Sequence, residues 1–399
     1  MENLIMKGHL VSQLHPPIMN AGFYTAKVYV RQEISPTGQL HFTLPARYQD
    51  VKFISRGAQG FVISALDVRT NRRVAIKKLV VGKELVVKRS YREFMMLSSI
   101  EHPNIVKMHS AFTPATTSAE FNEHYIVMEL MDNTLLAVTR EARTTHRTLS
   151  FLIYQLLCAV HHMKRLGLVH RDLKPENIVI NNEDCTLKVL DFGLARHTPL
   201  DIKLKMTDYV VTRYYRAPEV IVGTSYDETI DIWSVGSIMA ELVLKRPIFP
   251  SQDQVSLWSR IVQVLGTPSE SYVGTLDAHT AQYIRSLPQT QGFPMDQIMP
   301  DALIFDDSDP HFHNESLTGD NARDLLAHML VIDPSQRYDI TKALNHPYVK
   351  HWHDDSEVNA PLHPMRYDGS YDDRTLTTDE WKELLFTEVK LYESNHDIF

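Results

Sequence analysis

The sequence predicts an α+β protein with a small strand-rich lobe followed by a larger helical lobe. From Arg47 to about Leu79 the pattern is that of short strands, and Gly57 and Gly60 interrupt it. After Asn133, long amphipathic segments with helical spacing dominate. Hydrophobic residues make up 43% of the 399 residues and charged residues 23%, a composition that is typical of globular proteins and excludes a disordered chain.

An N-terminal extension, residues 1–47, precedes the strand-rich lobe and contains a predicted hairpin. Phe23–Val30 and Gln39–Leu44 alternate like strands around the turn signal Ser35-Pro36-Thr37-Gly38. After its first strands, the lobe continues with two more predicted elements, a helix over about Val86–Ser99 and a short buried strand over Tyr125–Leu130.

Amphipathic segments mark the helical lobe, and acidic residues with proline mark its loops. We expect helices over Leu149–Arg165 and Thr229–Leu244, and loops over Asp306–Pro310 and Asp354–Pro364. Thr378-Asp379-Glu380 opens one more helix, which ends near Glu393. The predicted organisation is one domain over 48–349, with lobes of about 48–131 and 132–349, and a C-terminal extension over 350–399 whose helix packs back on that domain.

Charge and cysteine content restrict the partners and the compartment. The formal charge of 41 − 49 = −8 argues against direct binding of nucleic acid, which requires a net basic face. Cys158 and Cys185 are too few for a disulfide framework or a zinc site, so we expect a reducing compartment. The N-terminus lacks the features of a signal peptide, and the longest apolar stretch, Leu149–Val160, is too short to span a bilayer. We therefore expect a soluble, intracellular protein without membrane attachment.

A glycine-bearing turn and a nearby lysine predict phosphate binding. Glycines let backbone amides approach a phosphate without a Cβ in the way. Lys77 ends an apolar run and can point its ammonium at phosphate oxygens, with Glu93 on the next helix as a candidate partner. The alternatives are a plain hairpin turn, a solvated lysine and a surface glutamate. The candidate nucleotide-binding residues of the turn are Ile54, Ser55, Arg56, Gly57, Ala58, Gln59, Gly60, Phe61 and Val62.

Motifs in the helical lobe supply the groups that phosphoryl transfer requires. This reaction needs a carboxylate to orient the attacking hydroxyl, a cation for the γ-phosphate, and oxygen ligands for Mg²⁺. Asp172, Lys174 and Asn177 stand in the run HRDLKPEN, and Asp191 opens Asp-Phe-Gly. Ala217-Pro218-Glu219 completes the ordered set of motifs.

Longer runs of residues carry a family resemblance. They are Gly57-Ala58-Gln59-Gly60, Tyr125–Asp132 (YIVMELMD), Tyr209–Val220 (YVVTRYYRAPEV), Asp231–Gly236 (DIWSVG) and Trp381-Lys382-Glu383-Leu384. With them the chain resembles the MAP kinase family of eukaryotic protein kinases, and most of all its c-Jun N-terminal kinase branch. The similarity extends from about Phe23 to Glu393. It implies the bilobal protein kinase fold, with the kinase domain over 48–349 and ATP bound in the cleft between the lobes.

The resemblance implies a role for each catalytic residue. Lys77 would contact the α- and β-phosphates of ATP and pair with Glu93. Asp172 would orient the substrate hydroxyl, and Lys174 would neutralise charge on the transferred phosphoryl group. The two implied Mg²⁺ ligands are Asn177 and Asp191.

The resemblance also assigns binding and structural positions around these groups. Backbone groups of Glu129 and Met131 would bind the adenine edge, with Met128 at the back of the pocket. Asp231 would brace the backbone of His170 and Arg171. Glu219 and Arg337 would form a buried structural pair.

Thr207-Asp208-Tyr209 matches the Thr-x-Tyr switch of the family, which is phosphorylated on both Thr207 and Tyr209 by an upstream dual-specificity MAP kinase kinase. Each phosphate would add nearly two negative charges and recruit arginines. The resemblance assigns Arg92, Arg171 and Arg196 to the phosphothreonine, and Arg213 and Arg216 to the phosphotyrosine. The sequence departs from the branch in two places, because Asp208 stands where it usually has proline and Ser55 replaces the first glycine of the loop. Which upstream kinase acts on the chain is therefore left open.

A docking surface is implied as well. Asp354 and Glu357 match an acidic patch that pairs with basic peptides, and the adjoining apolar groove would consist of Leu135, Val138, Ile180 and Cys185. The implied partners are docking-motif peptides, scaffolds, phosphatases and protein substrates such as transcription factors. The implied protein is a monomer of the cytoplasm and the nucleus.

The expected function is transfer of the γ-phosphoryl group of Mg·ATP to serine or threonine followed by proline, in a stress-type signalling cascade. A scaffolding pseudokinase is one alternative, but Lys77, Asp172, Asn177 and Asp191 are all intact. A cyclin-dependent kinase is another, and Thr207-Asp208-Tyr209 and the helix of Trp381 disfavour it.

Overall fold

The computed structural model describes residues 22–57, 60–141, 143–198, 213–306, 312, 314–364, 367–372 and 374–399. These residues form two compact units. The first takes in the described residues of 1–99, 106–130 and 373–399, and the second those of 100–105 and 131–372.

A five-stranded antiparallel sheet is the centre of the first unit. Its strands, in spatial order, are Tyr48–Arg56, Gly60–Asp67, Arg72–Val80, Glu123–Glu129 and Met108–Phe112. Apolar residues of the inner strands are fully buried, including Ile63, Ile76 and Val127. Burial on the inner strands fixes the register, because a slip by one residue would turn every apolar side chain to the wrong face.

The N-terminal hairpin is confirmed. Phe23–Tyr29 pairs antiparallel with Gln39–Pro45, and the turn between them contains the hydrogen bond from the Gly38 amide to the Ser35 carbonyl, 2.8 Å long. Gly38 adopts a positive φ of 67°, which a residue without Cβ accepts at no cost.

Two helices complete the first unit, together with a short 3₁₀ turn over Ser118–Glu120. They are Glu84–Leu97 and the C-terminal helix Thr378–Asn395. Their contact is aromatic: the rings of Tyr91 and Trp381 lie 5.7 Å apart, and those of Phe94 and Tyr392 lie 5.8 Å apart. The C-terminal helix starts where predicted, because Thr377 and Glu380 form a reciprocal capping box around its first turn.

The second unit is helical around two long buried helices. They are His146–Arg165 and Thr229–Leu244, and most of their residues are buried. The other α-helices of its described residues are Leu135–Glu141, Pro218–Val222, Gln254–Leu265, Glu270–Val273, Ala278–Ser286, Met295–Ile298, Gly319–Met329, Ile340–Leu344, Pro347–Lys350 and Asp355–Val358. Short 3₁₀ turns span Pro175–Asn177, Phe192–Leu194 and Asp301–Leu303.

Short strands in the second unit hold the polar loops. Asn133–Thr134, Ile178–Ile180 and Leu187–Val189 form one antiparallel sheet, and Leu168–Val169 pairs with Arg196–His197 in another. None of the described helices is long and apolar enough to cross a membrane.

The predicted α+β class is confirmed, and the element boundaries differ by a few residues. The helix expected over Val86–Ser99 begins earlier and spans Glu84–Leu97. The expected loop Asp354–Pro364 is wrong in its first part, since Asp355–Val358 is a helical turn. The Asp354 carboxylate accepts a 2.8 Å bond from the Ser356 amide and so caps this turn.

Candidate active site

The glycine-bearing turn joins the first two strands of the large sheet. Ser55 and Arg56 pair with Val62 and Phe61, and the Gly57 amide donates a 2.9 Å bond to the Gly60 carbonyl. A Cβ on Gly60 would lie 1.8 Å from the carbonyl oxygen of Lys78, so only glycine fits there. Of the other candidates, Ile54 is exposed in the same strand, and Ala58 and Gln59 lie outside the described residues.

Lys77 and Glu93 form a buried ion pair. Lys77 lies in the central strand between Val62 and Ile126, and Glu93 lies on the helix Glu84–Leu97. The Lys77 ammonium is 2.5 Å and 2.7 Å from the two carboxylate oxygens of Glu93, whose side chain is 1% exposed. In such surroundings a charge is retained only when a partner compensates it. The alternative of a solvated lysine and a surface glutamate is therefore wrong.

Residues implied in adenine binding lie at the end of the fourth strand of the sheet. Met128 is buried, and Glu129 exchanges hydrogen bonds with Lys107: the Lys107 amide donates to the Glu129 carboxylate over 2.7 Å, and the Glu129 amide donates to the Lys107 carbonyl over 3.2 Å. Met131 is half-buried and begins the next stretch of the second unit.

Asp172 is held by two groups of its own loop. Its Oδ2 atom accepts a 2.8 Å bond from the Lys174 ammonium and a 2.9 Å bond from the Asn177 amide nitrogen. The same Asn177 nitrogen also donates to the Asp172 carbonyl over 2.9 Å. A carboxylate oxygen that is held in place in this way can accept a hydrogen bond from a hydroxyl. The loop therefore presents an oriented carboxylate and an ammonium side by side.

Asn177 and Asp191 present oxygen atoms of the type that Mg²⁺ prefers. Because the Asn177 amide nitrogen is committed to Asp172, its amide oxygen is the atom that can bind a metal. Asp191 adopts a left-handed backbone with φ 61°, and its Oδ1 atom accepts a 3.3 Å bond from the Gly193 amide. No group of three or more His, Cys, Asp or Glu residues among the described residues forms a metal cage. Two oxygen ligands instead suit an ion that keeps its waters and binds substrate phosphates.

A buried carboxylate braces the run HRDLKPEN, residues 170–177, which we call the catalytic loop. Asp231 accepts backbone hydrogen bonds from His170, 2.7 Å, and Arg171, 3.0 Å, as the resemblance implied. Burial raises the pKa of Asp231, and these two donors oppose that shift. These bonds hold Arg171 at a positive φ of 71°, a strained backbone conformation for a residue other than glycine. Asp172 directly follows this strained residue.

The pair Glu219–Arg337 is structural. The guanidinium binds both carboxylate oxygens, at 2.6 Å and 2.9 Å, and neither side chain is more than 1% exposed. Arg337 also donates to the carbonyls of Thr229 and Val331, so its donors are satisfied by the fold itself.

The predicted docking residues divide into accessible and buried ones. Asp354 is exposed, Glu357 is half-buried, and Val138 and Cys185 are half-buried. Leu135 and Ile180 are 0% and 2% exposed and belong to the core. Burial raises the pKa of the Cys185 thiol, which keeps it protonated near neutral pH.

Thr207 and Tyr209 lie outside the described residues. Arg196 is one of the arginines assigned to the phosphate on Thr207. The Asp372 carboxylate lies 3.8 Å from its Nε atom, and sequence reasoning missed this acidic neighbour. No local motif connects two residues so far apart in the chain, so only the fold could reveal this contact.

Known proteins match this chain over most of its length. Residues 48–349 match the protein kinase domain family. GLH-binding kinase 1 of Caenorhabditis elegans is 49% identical over 361 residues, which cover 90% of this chain and 92% of that protein. The stress-activated protein kinase JNK of Drosophila melanogaster is 44% identical over 361 residues, with coverage of 90% and 95%. The stress-activated protein kinase jnk-1 of Caenorhabditis elegans is 44% identical over 364 residues, with coverage of 91% and 76%.

The chain therefore belongs to the protein kinase family, whose members use ATP as the phosphoryl donor. Within that family it is a JNK-like MAP kinase and hence a serine/threonine protein kinase. The family resemblance stated from the motifs is confirmed.

Proposed function

We propose that this kinase transfers the γ-phosphoryl group of Mg·ATP to serine or threonine followed by proline, within a stress-type signalling cascade. The observation that carries the proposal is the Asp172 carboxylate, which is bonded to both Lys174 and Asn177. The acceptor hydroxyl needs a fixed carboxylate to orient it, and the negative charge on the transferred phosphoryl group needs a nearby cation to stabilise it. The names of the stress-activated relatives support the assignment to a stress pathway.

Each catalytic side chain acts by position and charge. Lys77, oriented by Glu93, binds α- and β-phosphate oxygens. Asp172 accepts the hydrogen bond of the substrate hydroxyl and aligns its oxygen for attack, and Lys174 stabilises the charge that develops on the transferred group. The hydroxyl proton passes to Asp172 or leaves with the product.

Substrate-bound Mg²⁺ would be held by the amide oxygen of Asn177 and the carboxylate of Asp191. The ion supplies charge neutralisation on the phosphate oxygens. The oxygen chemistry of these two side chains fits such an ion, and their loop fixes both. Leu190, beside Asp191, donates its amide to the Asn177 carbonyl over 2.8 Å, so a backbone hydrogen bond joins the segments that carry the two ligands.

The kinase is switched on by phosphorylation of both Thr207 and Tyr209 by an upstream MAP kinase kinase. Asp208 carries one charge and two oxygens, so it cannot replace a phosphate with nearly two charges and three oxygens. The proposed partners are that kinase, protein substrates such as transcription factors, and docking peptides of scaffolds and phosphatases. We place the protein, as a monomer, in the cytoplasm and the nucleus.

A peptide assay after treatment with an activating kinase tests this proposal. We expect phosphorylation of a Ser-Pro peptide and far less of the matched Ser-Ala peptide. Thr207→Ala and Tyr209→Phe should each lose most of the activation, with phosphorylation of the remaining site verified by mass spectrometry. Wild-type activity in either variant would contradict the two-phosphate switch.

A further inference from the structure

A short segment of the C-terminal extension, Tyr367–Asp372, lies against the short strand Arg196–His197. We call it the strap. Its Asp372 carboxylate lies 3.8 Å from the Nε atom of Arg196, with only 8% and 13% of the two side chains exposed. The distance is that of an ion pair without a direct hydrogen bond. In a partly buried site the attraction is stronger than between solvated charges.

The carboxylate is fixed by the strap itself. The Tyr367 hydroxyl, which is buried, donates a hydrogen bond to Asp372 Oδ2. The Asp372 amide donates to the Gly369 carbonyl over 2.9 Å and closes a tight turn. These two bonds within the strap therefore orient the Asp372 side chain toward Arg196.

Glycine allows the strap to lie this close. Gly369 has a φ of +76°, and a Cβ on it would lie 3.1 Å from the Cβ of His197. A Cβ on Gly167, φ +69°, would lie 3.1 Å from the ring of His197. His197 thus approaches both glycines closely, and Gly369 lets the strap lie against the strand Arg196–His197.

Arg196 also connects to the catalytic loop. Its Nη1 atom donates to the carbonyls of Leu194 and Ala195 over 3.3 Å and 2.8 Å. Arg171, which precedes Asp172, reaches the same Leu194 carbonyl over 3.5 Å. Arg196 and Arg171 therefore donate to the same Leu194 carbonyl, which links the position of Arg196 to the catalytic loop.

We propose that Asp372 is an internal counter-ion that holds Arg196 in the unphosphorylated kinase and competes with a phosphate for its guanidinium. The competing ligand is the phosphate monoester on Thr207. This inference therefore rests on the proposed phosphorylation of Thr207. A phosphate brings nearly two charges and three acceptor oxygens against the single charge of the carboxylate. It wins the arginine and releases the strap, so activation and strap release are one event.

Hydrogen exchange measured by mass spectrometry tests the contact in the unphosphorylated protein. In Asp372→Asn, peptides covering residues 195–198 should exchange about fivefold faster or more than in wild type. Asp372→Glu keeps the charge and should restore most of the protection. The matched control is Asp368→Asn, an exposed acid of the same strap that caps the Ser370 amide, and it should exchange like wild type. Equal exchange in Asp372→Asn and wild type overturns the proposal.

The competition is tested on the wild-type protein, so it does not depend on a variant that folds. Protein phosphorylated on Thr207, verified by mass spectrometry, should exchange about fivefold faster or more in residues 367–372 than the unphosphorylated protein. Unchanged protection of the strap overturns the competition. If phosphorylation releases the strap but does not raise peptide kinase activity, the proposed switch fails while the counter-ion stands.

Discussion

The residues around Asp172 show how neighbours in one loop divide the chemical work. Lys174 and Asn177 donate to the same carboxylate oxygen of Asp172, and the amide oxygen of Asn177 is the proposed ligand of Mg²⁺. The motif predicts which side chains take part, since their types and spacing are fixed. It does not predict that the Asn177 nitrogen is committed to Asp172, because that depends on the rotamer the 3₁₀ turn Pro175–Asn177 imposes.

Ser55 is a residue-scale test of the glycine-bearing turn. It is exposed at the end of its strand and pairs with Val62, so the strand geometry it adopts needs no glycine. We expect Ser55→Gly to change ATP affinity by less than about tenfold, which is about 1.4 kcal/mol. Isothermal titration with ATP measures this change. A change of several hundredfold in either direction would mean that the serine hydroxyl contacts the nucleotide.

At the scale of elements, periodicity predicted the long segments and failed where local bonds decide. The helix Thr229–Leu244 was predicted to the residue, because the spacing of its apolar residues stays helical over its whole length. The helical turn Asp355–Val358 was missed, since four residues carry no period and a side-chain cap creates the turn. Leu135 and Ile180 were assigned to a groove, but burial depends on packing that no motif reports.

The two turn glycines give an element-scale prediction with a built-in control. A Cβ on Gly60 would lie 1.8 Å from a backbone oxygen of the next strand, whereas on Gly57 its nearest contact would be 3.9 Å away. Gly60→Ala should therefore displace the strand and cost about 1–3 kcal/mol of stability. Thermal unfolding should show a lower Tm for Gly60→Ala and almost none of this loss for Gly57→Ala. Equal melting of the two variants would contradict the packing described for this turn.

At the scale of the whole molecule, function depends on contacts between distant parts of the sequence. The Glu219–Arg337 and Arg196–Asp372 pairs each join residues more than a hundred positions apart. The first was predictable from the family resemblance, but the second carries no motif. Sequence reasoning therefore reached the catalytic groups and missed the contact between Arg196 and Asp372.

Partner docking provides a prediction at this scale. Asp354 accepts bonds from Ser356, and the helix cap survives in Asp354→Asn because asparagine caps equally well. The double change Asp354→Asn with Glu357→Gln should therefore remove charge without unfolding the turn. Binding of a basic docking peptide should weaken by about two- to thirtyfold, the combined scale of two exposed ion pairs. The difference should shrink as salt rises and the Debye length falls below about 10 Å. Fluorescence anisotropy at low and high salt measures both effects, and equal binding at low salt would refute the acidic patch.

The central claim is that Asp172 orients the hydroxyl for phosphoryl transfer and contributes little to nucleotide binding. The direct measurement is transfer of radiolabelled phosphate from ATP to a Ser-Pro peptide by activated wild type and Asp172→Asn, with ATP affinity measured in parallel. Asp296→Asn, which changes an exposed carboxylate of the same unit, is the matched control and should behave like wild type. We expect Asp172→Asn to lose activity by about a hundredfold or more while its ATP affinity stays near that of wild type. Unchanged turnover in Asp172→Asn would contradict the account.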